Sequence, residues 1–294
     1  MILDILFPYY GRVDHMKLAV RSVLEQSDPQ WRLLVFDDGY PDDSIPAWFE
    51  SLDDERVVYR RNSQNLGAQG NYRQALEHVE SPWWVMMGAD DVMLPNYVAR
   101  VKKMAAEHPD AGYLHPGVST IDQDGRPTAG LVEKAKAYYR PNGAGTRELE
   151  GEEIALTLAR GDWMYFPAIC WNTEATKSIG FRPGLNVVQD LALAYDVILS
   201  GRSVVVDDEV VFDYRRHAGS DSSVRALTGT RFIEEARFFN EMAQAFDQRG
   251  WRRASRASRR RLSSRVNAGL LIPRAIAAGN RDGVRNLTRH VFGR

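Results

Sequence analysis

Apolar segments of strand length alternate with helical patterns through the first ninety residues. The predicted strands are residues 2–7, 31–36, 57–59 and 83–87, and the helices between them are residues 13–26, 43–52 and 71–79. Strands that are separated by helices pair in parallel, through right-handed crossovers. The pattern therefore predicts an α/β protein in which helices flank a mostly parallel central sheet.

Paired acids follow two of these strands. Asp37-Asp38-Gly39 comes after the second strand, and Asp90-Asp91 comes after the bulky run 83–87 through Gly88 and Ala89. Ligands of open α/β sheets bind at the carboxyl ends of the strands, and adjacent carboxylates there favour a bound cation. Simpler interpretations are that Asp90 caps the next helix and that Asp37-Asp38-Gly39 is only a turn.

The remaining two thirds of the chain are less periodic. A helix is predicted from Pro95 to about residue 107, irregular structure over 111–150, an extended aromatic stretch over 163–171, and strands at 204–206 and 210–212. Further helices are predicted over 151–161, 173–180 and 190–200, and from Gly229 onward. A core-facing stripe on that last helix comprises Phe232, Ala236, Phe239, Ala243 and Phe246.

Composition and motifs narrow the function classes. The 294 residues are 44% hydrophobic and 26% charged with a net charge of −1, which is typical of a globular protein and gives no sign of nucleic-acid binding. Cys170 is alone, no apolar run is long enough to span a bilayer, and the N-terminus lacks the basic residues of a secretory signal, so a cytoplasmic protein is expected. Dinucleotide, phosphate-loop and serine-hydrolase motifs are missing.

The C-terminal stretch 247–294 has a charge of its own. It contains thirteen Arg and no Lys, against Asp247 and Asp282 as its only acids. One interpretation is a solvated helical surface that is joined to the domain by the phenylalanine stripe. The other is a surface that contacts anionic lipid headgroups, which makes the protein peripheral at the inner face of the membrane. No recognition motif supports a nucleic-acid partner.

Seven short stretches together resemble the family-2 inverting glycosyltransferases, which have the GT-A fold. In chain order they are Phe7-Pro8-Tyr9-Tyr10, Ser22-Val23-Leu24-Glu25-Gln26, Phe36-Asp37-Asp38-Gly39, Asn65-Leu66-Gly67, Gly88-Ala89-Asp90-Asp91 with Pro95, Gln189-Asp190, and Arg215-Arg216-His217 with Ser220 and Ser222. The resemblance covers residues 1–225. It implies a nucleotide-sugar-binding half over 1–100, an acceptor half over 101–225, and an Arg-rich helical extension over 226–294.

The resemblance implies a nucleoside-diphosphate sugar as donor (a UDP-, dTDP- or GDP-sugar) and Mn²⁺ or Mg²⁺ as cofactor. Asp90 stands at the metal-binding position of the family's Asp-x-Asp motif, whose first Asp is replaced here by Gly88. His217 is a second metal or phosphate contact. The donor itself would contact five residues, Pro8, Tyr10, Asp38, Asp91 and Arg215.

The same resemblance implies an inverting transfer to a hydroxyl group, with Asp190 as general base. Gln189 replaces the family's Glu, which should lower the pKa of Asp190 because one neighbouring charge is lost; the alternative is that Asp190 only caps a helix. Trp163 and Trp171 are acceptor contacts, although aromatic residues in a dense stretch are more often core. A non-catalytic nucleotide-sugar-binding or scaffold protein is the alternative function.

Overall fold

In a computed structural model of the chain, residues 1–216, 226 and 228–293 are described. They contain nine strands, which are β1 (Leu3–Tyr9), β2 (Trp31–Asp37), β3 (Val57–Arg61), β4 (Trp83–Met86), β5 (Val92–Met93), β6 (Tyr113–Ile121), β7 (Arg147–Leu149), β8 (Cys170–Asn172) and β9 (Val204–Arg215). All nine belong to one sheet. Eight of them follow the order β3-β2-β1-β4-β8-β6-β9-β5, and β7 pairs with β9 outside this order.

Twelve helices are present in the described residues. They are α1 (Val13–Leu24), α2 (Ser44–Glu50), α3 (Gly67–Leu76), α4 (Tyr97–Glu107), α5 (Leu131–Tyr139), α6 (Gly151–Arg160), α7 (Thr173–Lys177), α8 (Gln189–Leu199), α9 (Thr230–Gln248), α10 (Arg252–Arg260), α11 (Leu262–Ala277) and α12 (Arg281–Phe292). The predicted fold class, a mostly parallel sheet flanked by helices, is confirmed.

The N-terminal half of the sheet follows the predicted alternation. β3, β2, β1 and β4 are parallel neighbours, with Leu3 of β1 level with Trp31 of β2 and Trp83 of β4. Because these strands run the same way, all their carboxyl ends meet at one edge of the sheet. This edge carries Asp38 after β2 and the stretch 88–91 after β4.

The stretch predicted to be irregular contains a long central strand. β6 has nine residues, most of them buried, and it pairs in parallel with β9 along nearly its whole length. The sequence hides β6 because Pro116 and Gly117 interrupt its apolar run, and the register to β9 shifts at that point. The predicted strands 204–206 and 210–212 are parts of one strand, β9, which continues to Arg215.

Apolar cores lie on both faces of the sheet. One contains Leu3, Ile5 and Val20 together with α1 and α4, and the other contains Trp84, Trp171 and Tyr195 together with α6 and α8. Of the predicted stripe on α9, Phe239 and Phe246 are buried, and Phe246 belongs to the second core. Phe232 belongs to a small separate cluster with Ala268, Ala275 and Leu287. None of the described helices is long and apolar enough to cross a bilayer.

Candidate active site

The carboxylates after β2 hold the edge of the sheet together. Asp38 is 2% exposed, and its Oδ1 accepts hydrogen bonds from the side chain of Asn62 at 2.9 Å and from the backbone N–H of Leu66 at 2.8 Å. Asp37 is fully buried and accepts from Tyr59 at 2.5 Å. Asp37 therefore has a structural role, and a contact between Asp38 and a nucleobase would use the other carboxylate oxygen.

An aromatic group stands beside these acids at the end of β1. The ring of Tyr40 lies 5.3 Å from that of Tyr9 and 5.3 Å from that of Tyr10. Tyr10 is 56% exposed, whereas Pro8 is half-buried within the strand. The edge thus offers an open aromatic face next to Asp38, where the nucleotide is predicted to bind.

Two carboxylates converge on the space above Gly88. A Cβ atom on residue 88 would collide with Oδ2 of Asp91 and would stand 3.3 Å from Oδ1 of Asp90. Oδ2 of Asp91 is buried and has no hydrogen-bond partner. Burial raises the pKa of Asp91 well above its ordinary value, and the neighbouring Asp90 carboxylate raises this pKa further. Such a pair of acids is stabilised when a cation reduces their repulsion.

The end of β9 secures this pair of acids. The backbone N–H of Arg215 donates to Oδ1 of Asp91 at 2.8 Å, and its Nε donates to the backbone carbonyl of Asp90 at 2.6 Å. Arg215 is 5% exposed, and its other contacts are the carbonyls of Asp122 and Gln123. The guanidinium therefore fixes the 88–91 turn, and a contact with the donor is an additional role that stays a prediction.

The residues at this edge fit a hard divalent cation. Carboxylate oxygens are the ligands that Mg²⁺ prefers, and Mg²⁺ commonly takes only one or two from the protein and the rest from substrate phosphates and water. Asp90 and Asp91 provide such oxygens, and the missing side chain at Gly88 leaves room beside them. In the described residues no three His, Cys, Asp or Glu side chains form a metal site. The predicted contact His217 lies outside the described residues.

Asp190 lies in the first turn of α8, so it does not cap the helix. The capping residue is Val188, and Oδ1 of Asp190 accepts from the backbone N–H of Leu191 at 2.8 Å. Burial and, to a smaller extent, the charge of the nearby Asp162 raise the pKa of Asp190 to about 7, and Lys136 opposes the shift. The net pKa shift is upward because burial and Asp162 dominate it, and the effect of Gln189 in place of Glu stays a prediction. A pKa near 7 suits a general base.

Ring contacts and electrostatic interactions lead from Asp190 towards the Asp90–Asp91 edge. The Lys136 ammonium stands 4.5 Å over the ring of Tyr165, and this ring lies 5.2 Å from that of Tyr214 on β9. The charges of Asp91 and Asp90 help to raise the pKa of Tyr214, after burial. Burial also lowers the pKa of Lys136, against the attraction of Asp162 and Asp190. Lys136, Tyr165 and Tyr214 therefore lie between the charges of the predicted metal-binding edge and the charge of the predicted base.

The tryptophans predicted as acceptor contacts lie in the core. Trp163 is 1% exposed and Trp171 is fully buried; Trp171 stacks on Trp84 and contacts the ring of Tyr113. Neither indole has a face that a sugar could contact, so the alternative of core packing applies to both. Tyr165 and Phe166, in the same stretch, are only half-buried.

Several charged residues around Asp190 escaped the sequence interpretation. Lys136 and Glu133 come from α5, in the stretch predicted to be irregular, and Glu133 forms an ion pair with Arg216. Glu234 comes from α9, and its carboxylate accepts from the backbone just before Gln189. No motif marks these positions, so the sequence alone does not predict that they lie near Asp190.

The fold defines the class of the protein. Over the full length of the chain it is similar to S. aureus TarS (1–349) in complex with UDP-GlcNAc, with a TM-score of 0.60, 15% identity and 93% of that chain covered. Over 97% of the chain it is similar to the mannosyltransferase PcManGT from Pyrobaculum calidifontis in complex with GDP-Man and Mn²⁺, with a TM-score of 0.60, 15% identity and 78% of that chain covered. The fold is therefore that of the GT-A glycosyltransferases.

Sequence comparison identifies the family. The profile of Glycosyl transferase family 2 matches residues 4–166, so the chain belongs to this family. It is 28% identical over 129 residues to the "Putative teichuronic acid biosynthesis glycosyltransferase TuaG" of Bacillus subtilis (strain 168), across 43% of this chain and 50% of TuaG. It is 29% identical over 97 residues to the "UDP-Glc:alpha-D-GlcNAc-diphosphoundecaprenol beta-1,3-glucosyltransferase WfgD" of Escherichia coli, across 32% of this chain and 37% of WfgD. The matches span no more than half the length of these curated relatives.

Proposed function

We propose that the protein transfers one sugar, with inversion, from a nucleoside-diphosphate sugar to a hydroxyl group of a glycan, a glycolipid or a glycosylated metabolite. Family membership supports the reaction class. The observation that carries the mechanism is the raised pKa of buried Asp190, whose charge also acts on Lys136 beside Tyr165, while the ring of Tyr165 contacts that of Tyr214 near Asp90 and Asp91. The catalytic unit in this proposal is residues 1–225, with residues 226–294 as an extension.

The donor would bind along the edge formed by β1, β2 and β4. The nucleobase of the donor would lie between Tyr10 and Asp38, and the diphosphate would extend towards Asp90 and Asp91. A bound Mn²⁺ or Mg²⁺ would neutralise the charge that develops on the departing diphosphate. Similar structures with UDP-GlcNAc and with GDP-Man and Mn²⁺ support a donor and a cation of these types.

Asp190 would act as the base opposite the leaving group. It takes the proton of the acceptor hydroxyl while that oxygen attacks the anomeric carbon, so the new bond forms on the opposite face of the sugar from the one that breaks. The α8 N-terminus, whose dipole is positive, stabilises the ionised form. Lys136 provides a positive charge near the same carboxylate. The α8 N-terminus and Lys136 both belong to the protein, so the proposed proton transfer does not depend on the cation.

The acceptor would be presented at the cytoplasmic face of a membrane. One curated relative is named for an acceptor linked to diphosphoundecaprenol, and another for teichuronic acid biosynthesis. Diphosphoundecaprenol is a lipid, so an acceptor of that kind would be anchored in a membrane. We therefore include in the proposal that residues 247–294 contact the membrane.

The alternative function is a nucleotide-sugar-binding or scaffold protein without turnover, which Gly88 and Gln189 keep open. Release of nucleoside diphosphate from a panel of nucleotide sugars tests the two. Turnover of any donor, even slow hydrolysis, supports the enzyme, whereas donor binding without release supports the alternative.

Thermal unfolding should identify the donor. A nucleotide sugar of the right base and sugar at a hundredfold excess over its dissociation constant should stabilise the fold by about 2.7 kcal/mol. The stabilisation should require Mn²⁺ or Mg²⁺, since the acids at residues 90 and 91 otherwise repel the diphosphate. Inorganic diphosphate with the same cation is the control. A stabilisation that is equally large in a chelator would contradict the predicted role of the cation.

A further inference from the structure

The helix α11 is apolar on two opposite faces. Its inner face contributes Ala268 and Ala275 to the small C-terminal cluster. Its outer face carries Leu262, Val266 and Leu270, which are 62%, 62% and 63% exposed. Pro273 and Ala277 continue the same stripe and are also exposed. At 100° per residue these five positions lie on one side of the helix, over a length of roughly 24 Å.

Charge around this stripe favours an anionic occupant. From residue 248 to residue 281 the chain contains no acid, and the preceding helix α10 exposes arginines at its surface. They are Arg252, Arg253, Arg256, Arg259 and Arg260. A second copy of the chain on the stripe would place like charges near one another, which disfavours a homodimer through this face.

We propose that the outer face of α11 lies in the interface of an anionic lipid bilayer, with its leucines among the acyl chains and the arginines at the headgroups. Three features are those of an interfacial helix: exposed apolar side chains on one face, an arginine-rich stretch whose residues 248–281 include no acid, and a helix that cannot span the bilayer. The inference rests on the proposed function only in its purpose, which is to bring the active site to a lipid-linked acceptor. The contact itself needs no catalysis.

Vesicle binding by the full chain tests this surface. Wild-type protein should bind vesicles of phosphatidylcholine mixed with phosphatidylglycerol, and bind vesicles of phosphatidylcholine alone much more weakly. Leu270→Glu should reduce binding to the anionic vesicles at least about tenfold, because burial of one large apolar side chain contributes that much. The matched control is Leu18→Glu, at an apolar residue of α1 that is 48% exposed.

The outcomes separate this surface from the enzymatic proposal. The proposed lipid contact is wrong if the wild type does not bind anionic vesicles, or if Leu18→Glu reduces binding as much as Leu270→Glu. In that case, concentration-dependent self-association or binding of an acidic protein would show what contacts the apolar stripe instead. Leu270→Glu should still release nucleoside diphosphate from the donor in solution. If vesicle binding follows the prediction but no donor is turned over, the proposed function fails and the lipid contact stands.

A second inference comes from an independent observation on α9. Oε1 of Glu234 accepts from three consecutive backbone N–H groups, those of Asn186 at 2.9 Å, Val187 at 2.6 Å and Val188 at 3.0 Å. Val188 caps α8 without a side-chain hydrogen bond, and Asp190 follows two residues later. One carboxylate from the C-terminal extension therefore holds the backbone that leads into the predicted base.

We infer that Glu234 is a positioning residue for Asp190. Free N–H groups before a helix otherwise bind water and leave the loop several conformations. A rigid loop keeps the Asp190 carboxylate at a fixed distance from the acceptor, and a displacement of about 1 Å can lower turnover about a hundredfold. The role presupposes the proposed function of Asp190.

Kinetics of two matched variants test this role. Glu234→Ala should lower kcat between about 10- and 100-fold with little change in the KM of the donor. The acid limb of its pH profile should move to lower pH, because a loosened loop lets water reach Asp190 and reduces the burial that raises its pKa. Glu234→Gln keeps an acceptor oxygen and should recover part of kcat. Glu241→Ala, on the same helix and paired with Arg182, is the control and should leave the pH profile unchanged.

Equal kinetic effects of Glu234→Ala and Glu241→Ala, with equal losses of stability, would show that Glu234 is only structural. If Glu234→Ala has wild-type kcat while Asp190→Asn is inactive, the positioning role alone is wrong. If Asp190→Asn keeps full turnover, the assignment of the base fails first, whatever Glu234 does.

Discussion

Asp190→Asn should lower turnover by about 10²–10⁴-fold while donor binding stays nearly normal. The amide cannot take the proton of the acceptor hydroxyl, so the attacking oxygen must lose it to water. Asn has almost the same shape as Asp, and its side-chain oxygen can still accept the hydrogen bond from Leu191. Turnover of a saturating acceptor, together with donor-induced thermal stabilisation of the same sample, measures both quantities.

The pH profile gives this prediction a second readout. The wild-type rate should rise with pH and level off above about 7, because burial raises the pKa of Asp190 to about 7 and only the ionised form is a base. Asp162→Asn is the control: it removes a charge that raises this pKa but keeps Asp190. The acid limb of the profile should therefore move to lower pH at an almost unchanged maximal rate. Normal turnover in Asp190→Asn would remove Asp190 from the mechanism.

The alternating segments of the first ninety residues predicted the N-terminal half of the sheet, because local periodicity indicates each strand there. The buried strands β1, β2 and β4 each read as an apolar run, and each lies where it was expected. β6 was missed because Pro116 and Gly117 interrupt its apolar pattern. In the structure β6 still pairs with β9 on both sides of this interruption, because the register between the two strands shifts at Gly117. Pairing of this kind is decided by distant residues, which a local pattern does not contain.

The site divides in the same way. Asp90, Asp91 and Asp190 follow apolar segments, so their position at strand and helix ends is visible in the chain. The environment of Asp190 is not, because Lys136, Asp162 and Glu234 reach it from three separate elements. The net pKa shift at Asp190 could not be predicted for this reason: the sequence shows Gln189 in place of Glu, but burial and Asp162, which raise the pKa, depend on the fold.

Asp90→Ala should weaken metal-dependent donor binding and lower turnover by about 10²–10³-fold, since the charge developing on the diphosphate loses its cation. Without added metal, the variant should bind the donor at least as well as the wild type, because one carboxylate that repels the diphosphate is gone. Titration of Mn²⁺ or Mg²⁺ at a fixed donor concentration, followed by thermal stabilisation and by turnover, measures the loss. Asp124→Ala removes an exposed acid that lies 3.9 Å from Arg126 and outside this edge, and it is the control.

In the metal-free protein, removal of the Asp90 charge should raise stability, although the same change lowers activity. Asp90→Asn should stabilise it slightly, because the like charge that raises the pKa of buried Asp91 is gone. Loss of activity together with a gain of stability is what a cation-binding carboxylate produces, whereas a structural carboxylate would lose both. Gly88 matters here in two ways. A side chain at that position would displace Oδ2 of Asp91. Glycine also provides no carboxylate, so Asp90 and Asp91 would be the only acids of this turn that can bind the cation. An Asp90→Ala variant whose metal dependence equals that of the wild type would refute the ligand role, and the diphosphate would then have to be neutralised from the β9 side, by Arg215 or Arg216.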